Sequence, residues 1–153
     1  MQIEKIQSFH GGKEVWEKFS RVAWLEELFT TSEVQIKSGG SDVVRSHIEL
    51  GLAKDGWALN AAVDAKFNLV ITAKKSSLGF QIQTGNISRA MYDLLKLQSM
   101  YTSRLIEGAC LAVPSGTAAS ILGGNLANGN RLSEELKLFS RHITVPLLLL
   151  AFE

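Results

Sequence analysis

The chain has 153 residues, of which 46% are hydrophobic and 20% charged, a composition that excludes a disordered or fibrous protein. This length predicts a single domain over residues 1–153 with a sizeable core. The net charge of +1 neither indicates nor excludes nucleic acid as a partner. Cys110 is the only cysteine, which excludes an intrachain disulfide and a cysteine-based zinc site, and its apolar neighbours predict a buried core residue.

The first half of the chain predicts two helices followed by three strands. Apolar residues at helical spacing predict one helix from Lys13 to Phe29. A second helix is expected at about 43–54, with Ser41 or Asp42 as its cap and Gly56 as its stop. Short strands are predicted at 57–63, 66–72 and 78–83, and residues 74–77 form the expected hairpin turn between the last two.

The second half of the chain alternates helices with buried strands. A helix is predicted from Asn86 or Ser88 to about Ser103, and strands at 108–113 and 144–152 enclose a further helix at 131–140. Residues 115–130, which are rich in Gly, Asn, Ala and Ser, predict a long loop with room for one helical turn. This order of elements predicts an α/β fold in which a mixed sheet carries helices on its faces.

Three polar residues on the predicted strands suggest a metal site. The midpoint between Asp64 and Gln81 falls close to the proposed turn, so we expect these two side chains to face each other across the hairpin. Gln81 and Gln83 are two residues apart and therefore share one face of their strand. Mg²⁺ prefers oxygen ligands, and a bound Mg²⁺ can polarise a phosphate and activate water.

The stretch Phe80-Gln81-Ile82-Gln83-Thr84-Gly85-Asn86-Ile87-Ser88-Arg89, continued by residues 93–98, carries a family resemblance. It resembles the active-site strand and following helix of the BglII, BstYI and BamHI group of type II restriction endonucleases, within the PD-(D/E)XK nuclease superfamily. The order helix, three strands, helix, strand is also similar to the core of that superfamily. The likeness extends over most of the chain, but only residues 80–98 are specific.

The resemblance implies roles for four residues. Asp64 matches the metal-binding aspartate of the family, Gln83 matches a position at which members have Gln, Glu or Lys, and Glu49 matches an additional acidic ligand. Gln81 departs from the pattern, because the family has Glu there as a central metal ligand and a Gln carbonyl brings no negative charge. A tolerated natural variant, a non-cutting protein and a deliberate inactivating substitution all remain open as explanations.

The resemblance also implies DNA contacts. Asn86, Ser88 and Arg89 open a predicted helix directly after the site strand, where a helix N-terminus and a guanidinium favour a phosphate. Asn86 and Ser88 are helix caps in any case, and residues 89, 93 and 96 could form only a charged outer face. Asn128 and Arg131, in the loop before the next helix, are candidate readers of adenine and guanine.

Three functions follow as hypotheses. The first is a homodimeric, Mg²⁺-dependent endonuclease that cleaves double-stranded DNA at a specific, palindromic site, with Mn²⁺ as a possible substitute and no organic cofactor. Its catalytic set is Asp64, Gln81, Gln83 and Glu49, of which Asp64, Gln81 and Glu49 hold the metal. The second is a DNA-binding protein of the same fold that Gln81 has weakened or inactivated. The third is a small-molecule or structural domain whose resemblance is accidental.

The subcellular location is predicted from the lack of a membrane-spanning segment and of a secretion signal. The longest apolar run, residues 145–152, is too short to span a bilayer, and residues 1–5 lack the basic start and apolar middle of a secretion signal. We therefore expect a cytoplasmic protein with no membrane partner.

Overall fold

A computed structural model describes residues 1–153, which form one six-stranded sheet with helices on both faces. The elements in chain order are β1 (Ile3–Phe9), α1 (Gly12–Lys18), α2 (Val22–Phe29), α3 (Ser41–Lys54), β2 (Ala58–Asp64), β3 (Leu69–Lys75), β4 (Leu78–Ile82), α4 (Ile87–Thr102), β5 (Gly108–Pro114), α5 (Gly116–Leu122), α6 (Gly129–Leu138) and β6 (Leu147–Phe152). The predicted mixed sheet flanked by helices is confirmed. No helix combines the length and hydropathy that a membrane crossing requires.

The strands lie in the order β1-β6-β5-β4-β3-β2. Strands β4, β5 and β6 are parallel, whereas β1 and the hairpin strands β2 and β3 join the sheet antiparallel. Every residue of β4, β5 and β6 is buried. Continuous apolar sequence such as that of β5 and β6 is typical of strands covered on both faces, which is why the sequence indicates them so clearly.

Two apolar cores lie on opposite faces of the sheet. One contains aromatic residues of α1–α3 and of the sheet, including Trp16, Phe29 and Phe80, and the other contains Leu94 and Leu97 of α4. Alternate residues of β5 divide between the two cores, because successive side chains of a strand point to opposite faces. Cys110 is fully buried, as predicted, and burial raises the pKa of its thiol.

The predicted single helix over 13–29 is wrong, because the chain breaks between α1 and α2. Ser20 has φ 55° and donates its N–H to the carbonyl of Glu17, while Arg21 donates to the carbonyl of Trp16. These two bonds form a Schellman ending, in which the residue after the helix takes the left-handed conformation. The apolar pattern on both sides of Ser20 suits a helix, so periodicity alone gave no indication of the break.

Other boundaries differ from the predictions in smaller ways. Strand β1, which pairs with β6 at one edge of the sheet, was not predicted, and α5 occupies part of the predicted loop. Helix α3 begins at Ser41 itself, with Gly40 as an N-cap that offers no side-chain bond, so the expected capping by Ser41 or Asp42 is wrong. Gly56 follows α3 with φ 76°, which confirms it as the stop.

Candidate active site

The register of the β3–β4 hairpin decides which side chains meet. Ala73 pairs with Phe80 around the tight turn at residues 76–77, which brings Thr72 opposite Gln81. Gln81 Oε1 accepts hydrogen bonds from the Thr72 N–H at 2.9 Å and from the Thr72 hydroxyl at 3.3 Å. The Thr72 hydroxyl in turn accepts from the Ile82 N–H at 3.1 Å. The cross-strand partner of Gln81 is therefore an uncharged threonine.

The expectation that Asp64 faces Gln81 is wrong. Asp64 pairs with Leu69 at the far end of the β2–β3 hairpin, and β3 lies between β2 and β4. Strands two apart in a sheet are separated by roughly 9.5 Å, before any offset along the strands is added. The exposed Asp64 carboxylate instead accepts from the Phe67 N–H at 3.1 Å, so it closes the turn between β2 and β3.

A pocket of about 390 Å³ opens beside Gln81, between α3, the hairpin strands and α4. It brings together four of the predicted site residues, namely Glu49 from α3, Gln81 and Gln83 at the end of β4, and Arg89 from α4. Sequence reasoning missed the other polar lining residues, which are Arg45, Asn60, Thr72, Tyr92, Asp93 and Lys96. The sequence could have indicated Thr72 as the residue opposite Gln81, because positions 72 and 81 are symmetric about the turn at 76–77.

A buried ion pair supports one wall of this pocket. Lys96 Nζ lies 2.7 Å from Asp93 Oδ1 and donates to the Val70 carbonyl at 2.8 Å. Gln83 Nε2 donates to Asp93 Oδ2 at 2.5 Å, while Gln83 Oε1 accepts from the Gly85 N–H at 2.7 Å. Asp93 is only 3% exposed, so the interpretation of residues 89, 93 and 96 as an outer charged face is wrong for Asp93.

Three charged groups of the pocket have no protein partner. None of the ion pairs in the protein involves Arg45, Glu49 or Arg89. Arg45 and Glu49 are half-buried one helical turn apart on α3, and Arg89 is exposed in the first turn of α4. Counting the buried pair, the lining carries three cationic and two acidic side chains.

The lining does not form a preassembled metal cage. No group of three or more His, Cys, Asp or Glu side chains could hold a metal ion anywhere in the protein. Asp64 is outside the pocket, Gln81 Oε1 already accepts two hydrogen bonds, and both Asp93 oxygens are engaged. Glu49 remains as the one carboxylate of the lining without an ion-pair partner, so any cation must take most of its ligands from water or substrate.

Two of the other predicted DNA-binding residues, Asn86 and Asn128, act as helix N-caps in this structure. The Asn86 side chain accepts from the backbone and hydroxyl of Ser88, each at 2.9 Å, at the start of α4. Asn128 accepts from the Arg131 N–H at 3.1 Å at the start of α6, and Arg131 Nε lies 2.7 Å from Glu135. Asn128 and Arg131 line a separate pocket of about 300 Å³ near α5.

Comparisons with known proteins identify a family by sequence and a shared fold by structure. The family described as restriction endonuclease BglII/BglIII matches residues 5–152. A crystal structure of restriction endonuclease BglII complexed with a DNA 16-mer is similar with a TM-score of 0.83 and 12% identity, over 100% of this chain and 78% of that one. A crystal structure of free BglII gives a TM-score of 0.71 and 12% identity, over 100% and 80%. No curated protein matches at the sequence level.

Proposed function

Because the chain belongs to the restriction endonuclease BglII/BglIII family, we propose that it cleaves double-stranded DNA in the pocket between α3, the β3–β4 hairpin and α4. Family membership makes the protein a type II restriction endonuclease, a hydrolase of phosphodiester bonds, and confirms the predicted resemblance. The alternative of an accidental likeness is wrong. The observation that carries the assignment of the pocket is the convergence of Glu49, Arg45, Arg89 and the Gln81–Gln83 strand end on one cavity.

DNA would bind through its backbone. Arg45 and Arg89 offer guanidinium groups without protein partners, and a guanidinium matches a phosphate with two parallel hydrogen bonds. Arg89 lies in the first turn of the sixteen-residue helix α4, where the helix dipole adds to the attraction for an anion. The substrate that fits this set of donors is a phosphodiester.

Enzymes of this family generally use divalent metal ions, and Mg²⁺, with Mn²⁺ as its substitute, is the ion we propose. Glu49 would hold it, because Mg²⁺ keeps several waters and binds through one or two carboxylates together with substrate phosphates. Such an ion polarises the scissile phosphate and stabilises the leaving oxygen. The amide of Gln81 brings no charge to it, so Glu49 carries most of the electrostatic attraction from the protein.

The remaining lining residues orient the substrate and its neighbours. Lys96 is fixed by Asp93 and the Val70 carbonyl, so its ammonium group lies in one place as a phosphate partner. Gln83 is held at both ends by Asp93 and Gly85, which keeps the end of β4 rigid beneath the pocket. Asp93 is paired with Lys96 and buried, so it supports Lys96 instead of acting as a free base.

Assembly and recognition are proposed on the same basis. A homodimer would match a palindromic site by its two-fold symmetry. The proposed location is the cytoplasm, where a restriction endonuclease would meet its DNA substrate. Asn86 and Ser88 can contact a phosphate while capping α4. Asn128 and Arg131 are proposed to read bases, since Asn pairs with adenine and Arg with guanine.

The test is cleavage of a long genomic DNA that offers many sequences, with Mg²⁺ or Mn²⁺. The protein should produce discrete fragments, and Glu49→Gln should lower the rate at least about tenfold, because the one unpaired carboxylate of the pocket is lost. Glu4→Gln is the matched control. Glu4 is an exposed residue of β1 at the opposite edge of the sheet, so this variant should cleave like the parent protein.

A second substitution tests the effect of Gln81, at a position where the family has Glu. Gln81→Glu adds a negative charge beside the metal ion and should raise the cleavage rate. Absence of fragments from both the parent protein and Gln81→Glu, with both folded, would contradict the proposed activity. Equal rates for Glu49→Gln and Glu4→Gln would contradict the role of Glu49.

A further inference from the structure

We propose that Thr72 is a positioning residue for the reaction in this pocket. Its side chain and its backbone N–H hold β3 against β4 at the point where the two strands separate, and they thereby fix the amide of Gln81. The inference rests on the proposed function for the reaction that Thr72 serves. The hydrogen bonds of Thr72 beyond the last paired residues of the two strands are the observation that supports it.

The sheet forks beside the pocket. The last paired residues of β3 and β4 are Ala73 and Phe80, and β3 continues for four residues beyond this pair, whereas β4 continues for two. Beyond the fork, β3 pairs with β2 and β4 pairs with β5. Residues of both separating strands line the pocket, namely Val70, Ile71 and Thr72 of β3 and Gln81 of β4.

Strand β3 also turns over at Thr72. Ile71 and Ala73 lie in different apolar cores on opposite faces of the sheet, although residues two apart in a regular strand share one face. On β2, Asn60 lies between the partners of these two residues and has a left-handed φ of 51°. The backbone at the level of Thr72 therefore departs from a regular sheet in both strands.

The side chain of Thr72 supplies the hydrogen bonds across the fork. The Thr72 N–H donates to Gln81 Oε1 at 2.9 Å, and the Thr72 hydroxyl donates to the same oxygen at 3.3 Å. The hydroxyl also accepts from the Ile82 N–H at 3.1 Å. One threonine therefore contacts both residues of β4 that lie beyond its last pair with β3.

Thr72 also determines which atom of the Gln81 amide faces β3. A backbone N–H can only donate, so the atom of Gln81 beside the Thr72 N–H must be the oxygen. Gln81 Nε2 then lies against the Ile82 carbonyl at 3.3 Å. Without the Thr72 hydroxyl, Gln81 would keep one of its two bonds to Thr72, and the Ile82 N–H would lose this acceptor. A small displacement of β4 at the pocket is enough to slow a reaction that depends on alignment.

The first experiment measures amide hydrogen exchange by NMR in Thr72→Val and Thr72→Ser. Valine keeps the branched shape that suits a strand but lacks the hydroxyl, so exchange at Ile82 should become at least about tenfold faster. Serine keeps the hydroxyl, so exchange should stay within about threefold of the parent protein. Unchanged exchange at Ile82 in Thr72→Val would overturn the proposal whether or not the protein cleaves DNA.

The matched control is Thr30→Val. Thr30 is an exposed threonine at the end of α2 and lies outside the pocket, so the same chemical change is made where no strand separates. Exchange at Ile82 should match that of the parent protein. Equal acceleration by Thr30→Val and Thr72→Val would overturn the proposal, because a general loss of stability would then explain it.

The second experiment measures single-turnover cleavage together with DNA affinity. Thr72→Val should lower the rate constant at least about tenfold through misalignment. It should change the dissociation constant for DNA by less than about twofold, since phosphate contacts dominate that affinity. Thr72→Ser should recover the rate. A rate loss that serine does not recover, or an equal loss of affinity, would overturn the role of Thr72. Absence of cleavage by the parent protein would instead contradict the proposed function, and exchange at Ile82 would then decide about Thr72.

A double-mutant cycle tests whether Thr72 acts through Gln81. In a Gln81→Leu background, Thr72→Val should lower the rate by less than about twofold, because the amide that Thr72 positions is already gone. The same substitution costs at least about tenfold in the parent protein under this proposal. Losses that simply multiply would show that the two residues act independently, which would overturn the proposal.

Discussion

Two aspartates of this protein, Asp55 and Asp93, each form an ion pair with a basic side chain and accept a further hydrogen bond, but they connect different parts of the structure. Asp55 Oδ2 contacts Arg21 at 2.6 Å and Lys75 at 2.9 Å, partners that are 34 and 20 residues away along the chain. Asp93 contacts Lys96 and Gln83, which are 3 and 10 residues away. Asp55 therefore connects the start of α2 and the end of β3 to the end of α3, whereas Asp93 contacts residues that lie together in one wall of the pocket.

The surroundings of the two carboxylates explain this difference. Asp55 also accepts from the indole of Trp57 at 3.1 Å, at the border of the aromatic core. Asp93 lies behind a cavity in which Arg45, Glu49 and Arg89 keep unpaired charges. Both carboxylates stabilise the fold: Asp55 joins distant elements, and the more deeply buried Asp93 is the counterion of Lys96. Asp93 in addition positions its lysine beside unpaired charges, where a ligand can bind. The comparison can be tested through stability.

The largest effect is expected from Asp93→Asn. The variant leaves the Lys96 ammonium buried without its counterion, which should cost about 3 kcal/mol of the free energy of unfolding. Asp93→Asn combined with Lys96→Met should recover much of that loss, because the uncompensated charge is gone. Urea denaturation of both variants checks this.

Asp64→Asn is the matched control for that variant. Asp64 is exposed, and an Asn oxygen can still accept from the Phe67 N–H, so stability should change by less than about 0.5 kcal/mol. An Asp93→Asn variant as stable as this control would show that the buried pair contributes nothing.

Asp64 and Asp93 also show how much of the candidate site could be predicted from the sequence. The sequence suggests Asp64 because the midpoint between residues 64 and 81 lies close to the proposed turn and because Asp64 matches the metal-binding aspartate of the family, whereas the observed pairing places Thr72 opposite Gln81. The structure shows strand β3 three residues later than predicted, and that shift changes the register. Asp93 was misjudged although it lies three residues after Ala90 and four before Leu97, both on the buried stripe of α4.

The strongly patterned elements were predicted well, and the irregular ones were not. Helix α4 and strands β4 and β5 were placed within one or two residues, because apolar periodicity and continuous burial determine them. Strand β1 was missed, and its register shifts between Ile3 and Lys5, which interrupts the alternation that marks a strand. Thr72 and Gln81 face each other only in the observed register of the β3–β4 hairpin, and secondary-structure propensity does not determine a register.

A smaller effect is expected from Asp55→Asn. Burial raises the pKa of Asp55, but the hydrogen bond from Lys75 and the charges of Arg21 and Lys75 together outweigh it, so the pKa lies below its ordinary value of 3.8. The carboxylate then contributes stability above the unfolded pKa and loses it as pH falls through the folded one. At about pH 7 the variant should lose about 1 kcal/mol.

Denaturation at several pH values separates this pH-dependent contribution from packing. The difference between Asp55→Asn and the parent protein should shrink as the pH falls below about 4, because the parent carboxylate is then protonated as well. A difference that stays constant from neutral to acid pH would mean that the loss comes from packing around Trp57 instead of from the charge.

The smallest effect is expected from Glu107→Gln, which breaks the exposed pair between Lys18 and Glu107. The hydrogen bond from Lys18 lowers the pKa of Glu107, and the two groups lie 2.7 Å apart, so by distance alone this pair equals the pair at Asp93. Both side chains are more than half exposed, however, and water screens their attraction. The denaturation midpoint should not move measurably, and Lys18→Gln should give the same result. If Glu107→Gln cost as much as Asp55→Asn, pairing distance and not burial would set the energies of these carboxylates, and the contrast between Asp55 and Asp93 would lose its physical basis.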